Sequence, residues 1–589
     1  MPNPDVQAIV SAWISNFAAA VSAGDAEAVA ATFLPEGWLR DVLVFTWDAR
    51  SLEGYDKILA YLSEHLRGAH ITDIKLDDRP HLAPEFSPAG PKTPASIGSA
   101  FTFDAPRFRG RGSVRLVATE NGEWRALTVL LMMDDIKGHE EAGPESGVYG
   151  DHTLAWEDVW AERRAKIEAD PQVIILGGGQ TGLNVAARFK QMNIPSLVLD
   201  QNDRIGDNWR HRYPTLSLHT IRTHHSFLYQ PYPANWPMYT PRDKLADWLE
   251  QYVRSQDLVV WSNSTILPTP KYDPATKKWT VLVRRNGRNV LLHPAHIVIA
   301  VGTLGAPRIP PIQSLDAFAG PVLHASKYTG ANPYIGKRVI VVGAGNTAAD
   351  ICQDLSNRGA SSVTLVQRTS TCVVTLKWLR DFQSAVYPEG LDQDIADFKN
   401  AGMPAGLFLK TLRAQEAESW ESERELYDAL TKAGVKLNMG IDGGGQPSLI
   451  LERFGGFWID VGICKLVISG KVKVKQGAVI TSCTPRSVIF SDGSELEADA
   501  LIFGTGYHSS RDSLKNTFGA EVIDRTTEMW GLDAEGEYKT YRPSGQPGLW
   551  YASGDFTMSR FISKQLALQL KAIELGMIPV PNIDVYEER

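Results

Sequence analysis

The stretch QVIILGGGQTGLNVAARFKQMNIPSLVLDQ, residues 172–201, decides the fold. It reads as an apolar strand, a glycine turn, a helix and a second apolar strand. In such a unit Gly177 allows the tight turn, Gly179 lets the backbone approach a pyrophosphate, and Gly182 permits close packing of helix on strand. The helix N-terminus then faces the phosphates. Asp200 ends the second strand 18 residues after Gly182, where a carboxylate accepts a hydrogen bond from an adenosine ribose hydroxyl. The stretch therefore predicts an α/β fold with a dinucleotide at this turn.

The design recurs in GKRVIVVGAGNTAADICQDLSNRGASSVTLVQRTST, residues 336–371. Gly343 and Gly345 turn the chain, Ala348 takes the third glycine's place, and Asn346 and Thr347 open the helix beside the phosphates. The following strand ends in Gln367-Arg368-Thr369, with no acid to hold a 2′-hydroxyl. A guanidinium at Arg368 suits a 2′-phosphate, which favours NADPH over NADH. Two dinucleotide units in one chain imply an electron source and an electron carrier.

The bulk properties limit the alternatives. A chain of 589 residues is too long for one core. Its 43% hydrophobic and 22% charged content is ordinary for a globular protein, and a net charge of -8 does not suit a nucleic-acid partner. The start, MPNPDVQAIVSAW, lacks the charged flank of a signal peptide. No continuous apolar window of about 18 residues stands out, so a membrane span is not expected and the cytoplasm is the default location. Cys352, Cys372, Cys464 and Cys483 are scattered without a CxxC pair, so neither a redox dithiol nor a metal ribbon is expected.

Further phrases carry a family resemblance. RIGDNWRHRYPTLSLHT (204–220) follows Asp200, with Gly206 and Trp209. It resembles the E-x5-GG-x-W phrase of flavin-containing monooxygenases, with Asp200 for Glu and Asp207 for the second Gly. YPTLSLHTIRT resembles the Y-x-x-L-x-L-H-x-P-K stretch of the YUCCA branch, with Ile221 for Pro and Arg222 for Lys. FAGPVLHASKY (318–328) resembles the superfamily fingerprint FxGxxxHxxxY, through Phe318, Gly320, His324 and Tyr328. HIVIAVGTLGAPRIP (296–310) and DALIFGTGYHSS (499–510) resemble the phrases that link the two nucleotide domains.

The resemblance covers residues 171–589 and implies FAD at the first site. It implies a monooxygenase that uses NADPH to reduce FAD and passes one atom of O2, through a flavin hydroperoxide, to a small organic substrate. A 2-oxo acid or a soft nitrogen or sulfur nucleophile are the candidate substrates. By the same resemblance His219 is a hydrogen-bonding wall beside the flavin, His324 has a hinge and cofactor-positioning role, and Asp555 meets the flavin ribityl or pyrophosphate. The alternatives are a non-catalytic FAD/NADPH redox sensor or scaffold, and a disulfide-reductase-like flavoprotein.

The rest of the chain is less explicit. Residues 1–140 read as helices, then strands: VQAIVSAWISNFAAAVSAGDAEAVAATF is helical with a break at Gly24. SAFTFDAPRFRG, GSVRLVATENG and EWRALTVLLMMD read as strands, with an Asn121-Gly122 turn. This pattern, with GDAEAVAATF and WLRDVLVFTWD, resembles the SnoaL-like α+β cone. Asp41, Asp48, His70 and His81 are its pocket candidates, with structural or surface roles the simpler reading. The expected organisation is this block, a linker helix within 141–170, an FAD domain at 171–310 and 491–589, and an NADPH domain with an insertion at 311–490. Trp378, Phe382, Phe408, Trp420 and Trp458 are candidate pocket walls, and a homodimer is a candidate assembly.

Overall fold

The computed structural model describes residues 5–90 and 93–581. Its centre is a five-stranded parallel sheet built on Val173–Leu176. The order is Val260–Trp261, Ser196–Leu199, Val173–Leu176, His296–Ile299, Leu549–Tyr551. These strands are buried on both faces and read as continuous apolar runs, as a sheet covered by helices requires. The helix Gln180–Gln191 connects Val173–Leu176 to Ser196–Leu199.

A second parallel sheet repeats the pattern around Arg338–Val342, in the order Val322–His324, Ala500–Phe503, Arg338–Val342, Ser362–Gln367, Val472–Gln476. The strand Ala500–Phe503 lies inside this sheet, so the second unit runs past the expected boundary at 490. An apolar strand followed by a glycine turn suits either sheet by sequence; only hydrogen-bonded pairing with Arg338–Val342 assigns it. Between Ser362–Gln367 and Val472–Gln476 the chain adds a helical insert, entered and left by the paired strands Cys372–Thr375 and Phe457–Asp460.

The N-terminal block is a seven-stranded, mostly antiparallel sheet packed by three helices. Val6–Ala23 is capped by Asp5, whose carboxylate accepts from the Ala8 N–H at 3.0 Å, and it ends at Gly24 with φ 65°. By length and composition this helix is apolar enough to cross a membrane, with mean hydropathy 1.4, contrary to the expectation from the sequence. Here Val10, Trp13, Ile14, Phe17, Ala20 and Val21 face the sheet. The stretch SAFTFDAPRFRG is a hairpin rather than one strand: Ser96–Asp104 and Phe108–Ala118 pair across a turn at Pro106, which has no N–H to donate. The helix expected in the linker is Trp156–Ala169.

The block is docked on the rest of the chain through buried charges. Arg40 donates to both oxygens of Glu537 at 2.7 and 2.9 Å, and Arg542 to both oxygens of Asp48 at 2.6 and 2.9 Å.

Candidate cofactor and active site

At the first turn the three glycines do different work. Gly177 has φ 113°, and a Cβ there would lie 2.4 Å from the Ala300 carbonyl oxygen. A Cβ on Gly182 would lie 1.9 Å from the Gly177 oxygen, so the helix packs directly on the turn. Gly179 caps the helix, and a Cβ there would meet only the Asn208 amide nitrogen, at 3.3 Å. Open space before a helix N-terminus is what a pyrophosphate needs.

Asp200 is buried, and its Oδ2 accepts from the Gly178 N–H at 2.7 Å. Oδ1 accepts from the Asn202 N–H and side-chain amide at 2.8 and 2.9 Å. The carboxylate thus braces the turn as well as facing it, and Oδ2 keeps a lone pair for a ribose hydroxyl. Gly206, φ 90°, caps the one-turn helix Asp207–Arg210. Asp207 sits in that helix and accepts from Arg210 Nη1 at 3.1 Å, so the second glycine of the phrase is not needed here. The Trp209 Nε1 is buried without a partner.

Asp555 caps the helix Phe556–Phe561, its Oδ1 accepting from the Met558 N–H at 3.0 Å and the Thr557 hydroxyl at 2.7 Å. Its Oδ2 lies 3.6 Å from His224 Nε2. Sequence reasoning missed His224. Its Nδ1 is buried without a partner, as are the Thr223 and Tyr541 hydroxyls. Burial draws the imidazole below its usual range, the Asp555 carboxylate opposing. The adjacent His225 is bound on both nitrogens, to Thr220 Oγ1 at 3.0 Å and Thr240 Oγ1 at 2.7 Å. Burial holds it well below the usual value, so it is a neutral structural group. Only the doublet His224-His225 hinted at this pair, and no motif spacing marks it.

At the second turn Gly343 has φ 121°, and a Cβ would lie 2.2 Å from the Gly504 oxygen. A Cβ on Gly345 would meet only the Phe457 oxygen, at 3.7 Å, so this turn too leaves a helix N-terminus open. Asn346 Oδ1 accepts from the Ile459 N–H at 2.6 Å, tying the turn to the strand that leaves the insert. Thr347 is half-buried beside it. Arg368 is exposed, while its neighbour Gln367 is buried and binds Thr371 and Lys436.

The two units meet at Asp350, on the helix Asn346–Arg358. Tyr213 donates to its Oδ2 at 2.6 Å, and His219 Nε2 lies 3.7 Å from its Oδ1. Burial lifts the Asp350 carboxyl above the usual range, and His219 opposes that. His219 therefore reaches from the first unit to the second.

The fingerprint is a set of joints. Phe318 is buried, and a Cβ on Gly320 would lie 2.2 Å from the Asp499 oxygen. Tyr328 donates to Asp354 at 2.7 Å. His324 Nδ1 accepts from the Ser326 N–H at 3.2 Å, which leaves Nε2–H to donate to the Gly506 carbonyl at 2.9 Å. Its ring packs edge-on to Tyr507 at 5.0 Å, and burial lowers its basicity. The histidine thus joins the fingerprint to the GTGY phrase.

The aromatic candidates divide. Trp458 is core. Trp378, Phe382 and Phe408 stack at 5.5 and 6.1 Å, and Trp378 lines a cleft in the insert with Thr375, Glu423 and Tyr427. Trp420 packs against Tyr427. In the N-terminal block an apolar cavity is lined by Phe17, Leu39, Phe45 and Leu62, among others; Asp41, Asp48, His70 and His81 are not in its wall. Among the described residues no cluster of potential metal ligands occurs.

The family model described as Flavin-binding monooxygenase-like matches residues 171–523, more than half of the chain. The chain belongs to the flavin-binding monooxygenase-like family. As a member it is a flavoprotein monooxygenase. It is 29% identical over 347 residues to the indole-3-pyruvate monooxygenase YUCCA1 of Oryza sativa subsp. japonica, covering 58% of this chain and 77% of that one. It is 27% identical over 343 residues to the probable indole-3-pyruvate monooxygenase YUCCA10 of Arabidopsis thaliana, covering 57% and 82%. A flavin-containing monooxygenase from Stenotrophomonas maltophilia aligns at 18% identity and TM-score 0.46, over 69% of this chain and all of that one. The open face of Gly179, the carboxylates of Asp200 and Asp555 and the partnerless polar atoms Trp209 Nε1, Thr223 Oγ1, His224 Nδ1 and the Tyr541 hydroxyl are donors and acceptors of the kind a flavin dinucleotide needs.

Proposed function

We propose that this monooxygenase binds FAD at Gly177–Gly182 and NADPH at Gly343–Ala348, and transfers one atom of O2 to a small organic substrate. The observation that carries the reading is the junction at Asp350, where Tyr213 and His219 of the first unit meet the helix that opens at the second turn. Electrons have to cross at such a place. The bound cofactors supply hydride transfer and oxygen activation, and the protein supplies binding, orientation and exclusion of water.

Gly179 and the helix it caps take the FAD pyrophosphate, Asp200 the ribose, and Gly206 and Trp209 shape the flavin side. Asp555 and His224 contact the flavin from the helix Phe556–Phe561. Gly345, Asn346 and Thr347 cradle the NADPH pyrophosphate, and Arg368 takes the 2′-phosphate. His219 orients the nicotinamide against the flavin, and His324 fixes the angle between the two units. A 2-oxo acid is the first candidate substrate, because the curated relatives are indole-3-pyruvate monooxygenases. A soft nitrogen or sulfur nucleophile is the rival. The N-terminal block is a SnoaL-like domain that covers the cleft, in a cytoplasmic, homodimeric enzyme.

The disulfide-reductase alternative lacks its chemistry here. All four cysteines are buried and free, and burial pushes the Cys372 thiol up to about 12, the wrong direction for a nucleophile. The scaffold alternative fails if turnover consumes oxygen. The deciding experiment supplies NADPH and labelled O2 with a panel of 2-oxo acids, amines and sulfides and weighs the products. Incorporation of one labelled atom into the carboxylic acid formed from a 2-oxo acid supports the reading; NADPH oxidation with no labelled product from any class refutes it.

A further inference from the structure

We propose that the N-terminal domain positions the flavin-binding helix through a relay of charged side chains: buried Arg111 on the half-exposed carboxylate of Asp394, and the fully buried pair Asp397–Arg560. The proposal rests on the assignment of FAD to the first turn. The relay is carried by one helix of the insert, Gln393–Ala401. Arg111, on the N-terminal strand Phe108–Ala118, donates to both oxygens of Asp394 at 2.5 and 3.0 Å and lies over the Phe398 ring at 4.5 Å. Asp394 and Asp397 are three residues apart, so they share a helix face. Asp397 accepts from Arg560 Nε and Nη2, both at 2.7 Å, with each side chain 3% exposed. The remaining Arg560 nitrogen donates to the carbonyls of His224 and Ser226 at 3.1 and 2.7 Å.

Arg560 belongs to the helix that Asp555 caps, and His224 faces Asp555. The far end of the same insert helix is held from the same domain, because Arg40 Nη1 donates to the Ala401 carbonyl at 2.8 Å. One helix is therefore gripped at its start by Arg111, at its end by Arg40 and at its middle by Arg560. Buried ion pairs are weak devices for stability, since desolvation offsets their attraction; fixing one arrangement among several is their better use. Bidentate arginine–carboxylate pairs also set direction as well as distance. The relay thus sets where the segment 222–226 and the Asp555 cap stand relative to the first turn. The N-terminal block becomes a working part of the flavin site.

The test uses full-length holoenzyme. Arg111→Ala, Asp394→Ala, the double variant, Arg111→Lys and Leu62→Ala are compared with wild type. Leu62 lines the apolar cavity of the N-terminal block with Phe17, Leu39 and Phe45, and makes none of the relay's bonds. FAD release on dilution is followed by flavin fluorescence, and limited proteolysis reports cleavage within 387–414. The expected result is FAD release at least tenfold faster and new cleavage in 387–414 for both single alanine variants, with the double no worse than the worse single. Arg111→Lys falls between, and Leu62→Ala lowers thermal stability without changing release. Wild-type release and cleavage in Arg111→Ala, or in Arg111→Lys if the alanine variant does not fold, overturn the relay. So does equal loss of FAD in Leu62→Ala. Wild-type protein that binds no FAD sinks the flavin assignment instead, and the cleavage pattern then judges the relay alone.

Discussion

Alanine at Gly179 and at Gly182 should fail for opposite reasons. At Gly182 the new methyl would sit 1.9 Å from the Gly177 oxygen, whereas real Cβ contacts stay above 3.0 Å. Roughly an ångström of backbone must move, an overpacking cost of about 1–3 kcal/mol or more. The variant should lose thermal stability even without cofactor. At Gly179 the backbone, φ -81° and ψ -176°, suits alanine, and the nearest atom is a side-chain amide at 3.3 Å. Loss of a glycine cap costs less than about 1 kcal/mol. The methyl instead stands where the pyrophosphate approaches. Losing one charge-assisted hydrogen bond costs about 1.5–3 kcal/mol, which is roughly 10- to 150-fold in FAD affinity. The assay pairs the melting temperature of flavin-free protein with FAD titration. A Gly179→Ala protein that melts like wild type and binds FAD with wild-type affinity would refute the placement of the cofactor.

Gly345→Ala should keep FAD and raise the Michaelis constant for NADPH, since its Cβ also faces open space; unchanged NADPH kinetics would remove the second turn from the site. Arg368→Ala should weaken NADPH about tenfold more than NADH, a charged hydrogen bond being lost to one nucleotide alone; equal effects on both would show that another group reads the 2′-phosphate. His324→Ala cuts the link to Gly506 and should retain FAD while more NADPH ends as hydrogen peroxide, so NADPH loss and peroxide are measured together, and wild-type coupling would count against the joint. Asp41 offers a pH test. Burial lifts its carboxyl to about 7, above the unfolded value near ~3.9. The folded form then holds the proton more tightly, so the stability contribution is full at low pH and is lost as pH rises toward 7. The slope is at most about 1.4 kcal/mol per pH unit. Melting curves from pH 4 to 7 should flatten in Asp41→Asn, and identical slopes in the two proteins would mean that Asp41 does not titrate there.

Local sequence determined the parts whose physics is local. A glycine turn between an apolar strand and a helix can be read directly, because positive φ at Gly177 and Gly343 and close packing at Gly182 exclude other residues. Asp200, the two sheets' central strands and the linker helix were legible for the same reason. Tertiary structure alone decided what depends on distant partners. Ala500–Phe503 belongs to the second sheet because of the strand it pairs with, and SAFTFDAPRFRG folds back because Ser96–Asp104 finds Phe108–Ala118. His324 was visible as a motif, but its bond to Gly506 spans 182 residues. His224, and the chain of charges from Arg111 to Arg560, had no signature in sequence. An arginine on a strand reads as surface until the fold buries it against an aspartate far away in the chain, and then the cost of leaving that charge unpaired ties the segments together.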